Sequence, residues 1–199
     1  GDMADNSSLA AVLARLDAAK FDADDHAILD RLLATTRAVD QAFANFEFSG
    51  AVQSLYGFFW NDFCDWYVEV SKAKLQDEST KANCLAIQDL VLRQTLLLLH
   101  PFTPFITEEL WHLLGYGDDS AFLMRDVRIE DASHLAMALG ERGVRLDAAA
   151  AAEVGRLKEV TSQLRAFKAD NGEAAKKDSE FVVEATDAQW TVLDAHLTK

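Results

Sequence analysis

One run of ten residues constrains this chain more than any other: Phe58-Phe59-Trp60-Asn61-Asp62-Phe63-Cys64-Asp65-Trp66-Tyr67. Six of the ten are aromatic, in a sequence that is 10% aromatic overall. Within residues 52–75, Val52, Tyr56, Phe59, Phe63, Trp66 and Val70 recur at helical spacing, which reads as one apolar helix face. Phe58, Trp60 and Tyr67 fall off that stripe, so the helix is apolar on more than one side. The pattern predicts the central helix of a bundle, with Asn61, Asp62 and Asp65 as polar exceptions. Buried carboxylates need partners, and the nearest expected donors are Arg31 on the preceding helix and Arg93 on the following one.

Two prolines and nine glycines in 199 residues leave few breaks, and half the residues are hydrophobic, enough for a sizeable core. Asp22 is positioned to cap a helix reaching about Asn45, with Ile28, Leu32, Thr35, Val39, Ala42/Phe43 and Phe46 on its inner face. Ser49 is the expected cap of the aromatic helix and Ser79 that of a helix running to Leu99. His100-Pro101 ends that helix and Thr103-Pro104 starts the next, which Gly115 and Gly117 close. A short helix is expected near Ala132–Leu139, and a longer one over 147–169 with Val154, Leu157, Val160/Thr161, Leu164 and Phe167 on one face. Phe181–Ala185 reads as a strand, with a last helix capped by Asp187. The fold expected is all-α: an antiparallel up-down bundle followed by a smaller helix–strand–helix segment, a truncated α/β junction piece. The divisions are a lead-in helix at 1–23, the bundle at 24–117, a connecting loop and short helix at 118–146, and the junction subdomain at 147–199.

The formal charge of −14 opposes general binding to nucleic acid, so no DNA partner is expected and any RNA contact must be local. Residues 142–177 carry 8 basic and 5 acidic side chains, a local excess that suits a solvated helix face as well as a binding patch. No run is expected to be a membrane span, and no secretory leader is expected. Cys64 and Cys84 read as buried thiols, so a reducing, cytoplasmic setting without a membrane partner is expected. The chain opens on Gly1, as a processed or cut-out piece would.

Catalytic chemistry is hard to find. There is no glycine-rich phosphate loop. His100 and His112 lack partners at metal-ligand spacing, and Cys64 sits among aromatics and acids that disfavour a thiolate. Glu108 and Glu109 are expected at the first turns of a helix, facing its dipole. No catalytic residue and no metal ligand is assigned.

The aromatic run, together with His100-Pro101-Phe102-Thr103-Pro104-Phe105-Ile106-Thr107-Glu108-Glu109-Leu110-Trp111, resembles the helical anticodon-binding domain of valyl-tRNA synthetases, a class I aminoacyl-tRNA synthetase family. Ile28-Leu29-Asp30-Arg31-Leu32 followed by Phe46-Glu47-Phe48 is similar to the start of that domain. The proline motif is shared with isoleucyl and leucyl enzymes. The resemblance covers residues 24–115 well and 150–185 more loosely. It implies a tRNA partner and the catalytic domain of the same polypeptide as a second one. ATP and magnesium are implied for the full-length enzyme and no cofactor for this portion. No His-Ile-Gly-His element occurs, and Ser71-Lys72-Ala73-Lys74 matches the family's Lys-Met-Ser-Lys-Ser loop only superficially.

By position in these motifs, Arg31 is expected to contact phosphate or a base edge and Phe48 to stack on a base. Lys72 and Lys74 are expected to touch the RNA backbone. Glu47 departs from the basic or neutral residue usual in the family. A reading of another class is an acidic helical adaptor whose aromatic helix packs on a partner protein.

Overall fold

The computed structural model describes residues 8–116, 122–126, 130–171 and Thr186. Every element among them is helical: α1 Leu9–Ala14, a 3-10 turn Ala18–Lys20, α2 Ala23–Ala44, α3 Phe48–Gly57, a π-helical segment Phe58–Tyr67, α4 Val68–Gln76, α5 Lys81–Leu99, α6 Pro104–Leu113, α7 Leu123–Asp126, α8 Ala132–Glu141 and α9 Ala148–Asn171. The strand expected at Phe181–Ala185 and the helix after Asp187 lie outside the described residues.

Helix α2 starts as its sequence requires. Asp22 Oδ1 accepts the Asp25 N–H and Asp25 Oδ2 accepts the Asp22 N–H, both at 3.1 Å, a reciprocal cap of the first turn. Ile28, Leu32, Thr35, Val39 and Ala42 are buried along it as the periodicity predicts. Phe46 is not: the helix has already ended, and its ring is 80% exposed.

α3, the π segment and α4 form one continuous rod that returns antiparallel to α2. Its far end reaches the start of α2, where Lys74 meets Asp22 and Asp25. The rod begins at Phe48 with Glu47 as N-cap and no side-chain capping bond, so Ser49 is not the cap. Within the π segment the Val68 N–H reaches back five residues to the Phe63 carbonyl. That wider turn shifts the phase. The inward side chains are Ala51, Leu55, Phe58, then Phe63, Tyr67, Ser71 and Lys74, spaced 4 and 3, then 5 across the π turn, then 4, 4 and 3. An unbroken α-helix over 52–75 with Val52 and Tyr56 inward is therefore corrected. Both are exposed, at 41% and 67%, because the extra residue lets Phe58 and Phe63 face the same core.

The most enclosed helix is α5, which packs against α1, α2, α3, α4 and α6. Leu90, Val91 and Leu97 are fully buried. It alone among the described helices is long and apolar enough to cross a membrane by length and composition, and 67% of that window is buried inside the bundle. The aromatic rod flanks α5 and keeps one open face. Thr80 precedes α5 without a side-chain cap, and Ser79 instead donates its N–H and hydroxyl to Asp77 at 2.8 and 2.7 Å.

Arg93 on α5 does not serve Asp62 or Asp65. Its guanidinium lies 5.2 Å from the Trp111 ring, and burial pulls its pKa down against the pull of the Glu130 charge. α6 opens at Pro104 as expected. Glu108 lies beyond its first turn, accepting the Leu123 N–H at 2.8 Å and so tying α7 to α6. α9 packs along α2: Val154 and Leu157 are buried, while Phe167 near its end is 53% exposed.

Candidate nucleic-acid interface

The end of the bundle where α2 stops, α3 starts and α5 turns into α6 gathers four phenylalanines. Phe43 packs edge-on against Phe48 with ring centroids 5.5 Å apart, and Phe102 from the α5–α6 turn lies 5.5 Å from Phe43. Phe46 stands outermost, 6.4 Å from Phe48 and nearly perpendicular to it. The Phe48 ring is thus braced from inside by Phe43 and left 47% exposed.

The turn beneath these rings closes α2 with two bonds from the residues after its C-cap. The Phe46 N–H donates to the Phe43 carbonyl at 3.1 Å, and the Glu47 N–H to the Ala42 carbonyl at 2.7 Å. This closure requires a left-handed residue one past the cap, a position that glycine usually fills. Here it is Phe46, with φ 61°, in a conformation that costs a residue with a side chain on the order of 1–3 kcal/mol. Between Gln41 and Asn61 the only charged residue is Glu47, although charged residues make up 26% of the chain.

The second concave region lies between α2, the π segment and α9. It is a cleft of about 500 Å³ with Arg31, Gln53, Asn61, Asp65, Lys158 and Arg165 on its walls. Arg31 Nε binds Asp62 Oδ2 at 3.1 Å, the other oxygen of Asp62 takes Lys158, and Arg165 binds Asp65 at 2.9 Å. Trp66 Nε1 donates to the buried Asp24 at 2.9 Å. Of the two donors expected for these aspartates, Arg31 is present and Arg93 is not. The cations on α9 supply the rest from about a hundred residues away in sequence.

The four residues expected to meet RNA are not brought together. Phe48 stands on the aromatic corner. Arg31 lies thirteen residues before the end of α2, about 20 Å from it at helical rise, and faces the cleft half exposed. Lys72 is on the surface of α4, paired with Glu69 at 2.7 Å. Lys74 requires correction: its side chain is 9% exposed and bonds Asp22 at 2.7 Å and Asp25 at 2.6 Å. That ammonium is spent inside the bundle, because the π turn rotates position 74 inward and leaves position 72 outside. The residues missed from sequence are Phe43, Phe46 and Phe102. The glycine-free end of α2 next to Phe48 was the one signal available for Phe46.

The profile of the anticodon-binding domain of tRNA ligases matches residues 25–184. The chain belongs to this family. Among curated relatives, the valine–tRNA ligase of Bacillus cereus is 36% identical over 166 residues, 82% of this chain. That of Mycolicibacterium paratuberculosis is 37% identical over 153 residues, 77% of this chain. That of Lactiplantibacillus plantarum is 47% identical over 98 residues, 48% of this chain. The chain spans 17%, 16% and 11% of the lengths of these three relatives. In this anticodon-binding domain the aromatic run serves the core through Phe58, Phe63 and Tyr67, while Phe46 and Phe48 stand exposed at the turn that follows α2.

Proposed function

We propose that this chain is the tRNA-holding module of a valine–tRNA ligase, gripping the anticodon loop while a catalytic domain of the same polypeptide charges the other end of the tRNA. The observation that carries the reading is the braced, exposed Phe48 in a corner nearly free of charge. Unpaired loop bases stack on aromatic faces, and each stacked base contributes about 1–3 kcal/mol without requiring a basic protein. Arg31 and Lys72 are the exposed cations at hand for phosphates, each exchanging its present carboxylate partner for one. The described residues include no group of three or more His, Cys, Asp or Glu side chains able to hold a metal ion, and the ATP and magnesium of aminoacylation belong in this reading to the catalytic domain. The setting proposed is the cytoplasm.

The reading is tested with synthetic RNA hairpins carrying the anticodon loop of a valine tRNA or a scrambled loop, titrated at low and at physiological salt. The valine loop should bind more tightly, and Phe48→Ala should weaken it about tenfold while leaving the melting temperature nearly unchanged. Equal affinity for both loops would remove the claim of specific reading.

A second reading is favoured by a different surface. Tyr56 and Trp60 stack with centroids 6.4 Å apart and planes 5° apart, both more than half exposed, on the open face of the rod. A face of this kind suits docking on a protein. A clean monomer by light scattering that binds no hydrophobic dye would count against it.

A further inference from the structure

The aromatic corner contains more than the Phe48 platform requires. Its four rings run from the interior outward as Phe102, Phe43, Phe48 and Phe46. The first two brace the third. The fourth meets Phe48 edge-on from outside and is itself 80% exposed. It nevertheless occupies a left-handed position at φ 61° that glycine would fill without strain. Burial offsets little of that strain, so the fold alone favours glycine at 46. Strain retained at an exposed residue points to a ligand.

We propose that Phe46 is a second stacking platform, so that the corner holds two unpaired RNA bases, one on Phe48 and one on Phe46. The two ring planes are 85° apart, so one base cannot lie flat on both, and the two platforms serve different bases. The left-handed turn is what allows this. It lifts residue 46 off the helical path of α2 and sets its ring beside Phe48, whereas a right-handed residue would continue the helix. Glu47, between the two, keeps phosphate away from the turn and leaves the contact to base faces. Stacking tolerates any base, so Phe46 adds grip and orientation and leaves base identity to groups that meet base edges.

This inference rests on the proposed reading of an anticodon loop, and the experiment separates the two. The full chain is titrated with the valine anticodon hairpin carrying 2-aminopurine at successive loop positions, for the parent, Phe46→Gly, Phe46→Trp, Phe46→Leu and Phe48→Ala. Phe46→Gly relieves the turn, so its melting temperature should equal or exceed the parent's. It should nevertheless bind about tenfold more weakly and lose the fluorescence quench at one loop position, a different position from the one Phe48→Ala releases. Phe46→Leu keeps the strained backbone without the aromatic face and should behave like Phe46→Gly in binding. Phe46→Trp should restore the quench. Parent-like binding by Phe46→Gly, with Phe48→Ala weakened, overturns the second platform and leaves the first reading standing. If the parent itself binds no hairpin, both are overturned.

Discussion

Replacing Lys74 by alanine is expected to lower the unfolding free energy by about 3–5 kcal/mol, the usual cost of removing one partner of a buried ion pair. The expectation follows from unequal burial of its two partners. Asp22 has a side chain 38% exposed and can return to water. Asp25, 1% exposed, cannot. Its Oδ1 would keep only the Tyr67 hydroxyl, at 2.7 Å, and its Oδ2 only the Asp22 N–H. In a domain of this size the loss corresponds to a fall in melting temperature of roughly 6–20 °C. Urea unfolding monitored by circular dichroism measures it, and a loss below about 1 kcal/mol would show that water reaches Asp25 and that the pair is not buried in solution. Combining Lys74→Met with Asp25→Asn should recover much of the stability, because an apolar stem beside a neutral amide leaves no bare charge. Lys74→Met measured well below its melting point should bind the valine hairpin as the parent does. A loss of binding there would return Lys74 to the role its sequence position suggested.

The second large effect is alkaline unfolding. Burial, and then the neighbouring Asp25 charge, push the Tyr67 hydroxyl far above its ordinary value. Burial and Asp89 do the same for Tyr116. For Lys74, burial acts to lower the pKa, but the charges of Asp25 and Asp22 outweigh it and hold the ammonium above its ordinary value. In the unfolded chain these groups release protons near pH 10 to 10.5, while the folded chain still binds them. The unfolded state then binds fewer protons, so stability falls as pH rises, by about 1.4 kcal/mol per pH unit for each withheld proton and about 4 kcal/mol per unit once all three act. Burial raises Cys84 and Cys64 as well, which brings the start of the decline toward pH 9. Asp25, raised mainly by burial, acts at the other end: its proton favours the fold in acid, and that contribution is lost as pH rises through its raised value. Melting temperature followed from pH 8 to 11 should hold and then drop steeply. Tyr67→Phe should drop less steeply, and a flat profile to pH 11 would contradict the buried placement of these groups.

Much of the bundle is readable from residue type and spacing, because its signals are local. Asp22 caps α2 and Pro104 opens α6 as expected. The failures have a common physical origin. Ten residues that are mostly aromatic look apolar in any phase, so periodicity could not reveal a π turn: Val52, Tyr56 and Phe59 fall one residue after the inward side chains, Phe63 is inward as expected, and Trp66 and Val70 fall one residue before them. The partners of Asp62 and Asp65 on α9 depend on tertiary packing that carries no mark in either segment. Arg31 and Phe48 were legible only by resemblance, and their separation along α2 appears once the helices have length. Phe46 was hidden by its own type: the rule that marks a helix end looks for glycine, and here a phenylalanine closes the turn.

The wide turn of Phe58–Tyr67 also decides where this segment can change length over generations. Each residue of an α-helix turns the next by about 100°, and the wide turn absorbs one such step. Losing a single residue within it would restore the ordinary pitch, with the next inward ring four residues after Phe58 instead of five, and Lys74 would still face Asp25. Losing or adding a residue between Tyr67 and Lys74 has no such slack: it would swing position 74 about the axis and leave Asp25 without a counter-ion. Single-residue differences in length among related chains should therefore collect within the ten and spare the stretch that follows.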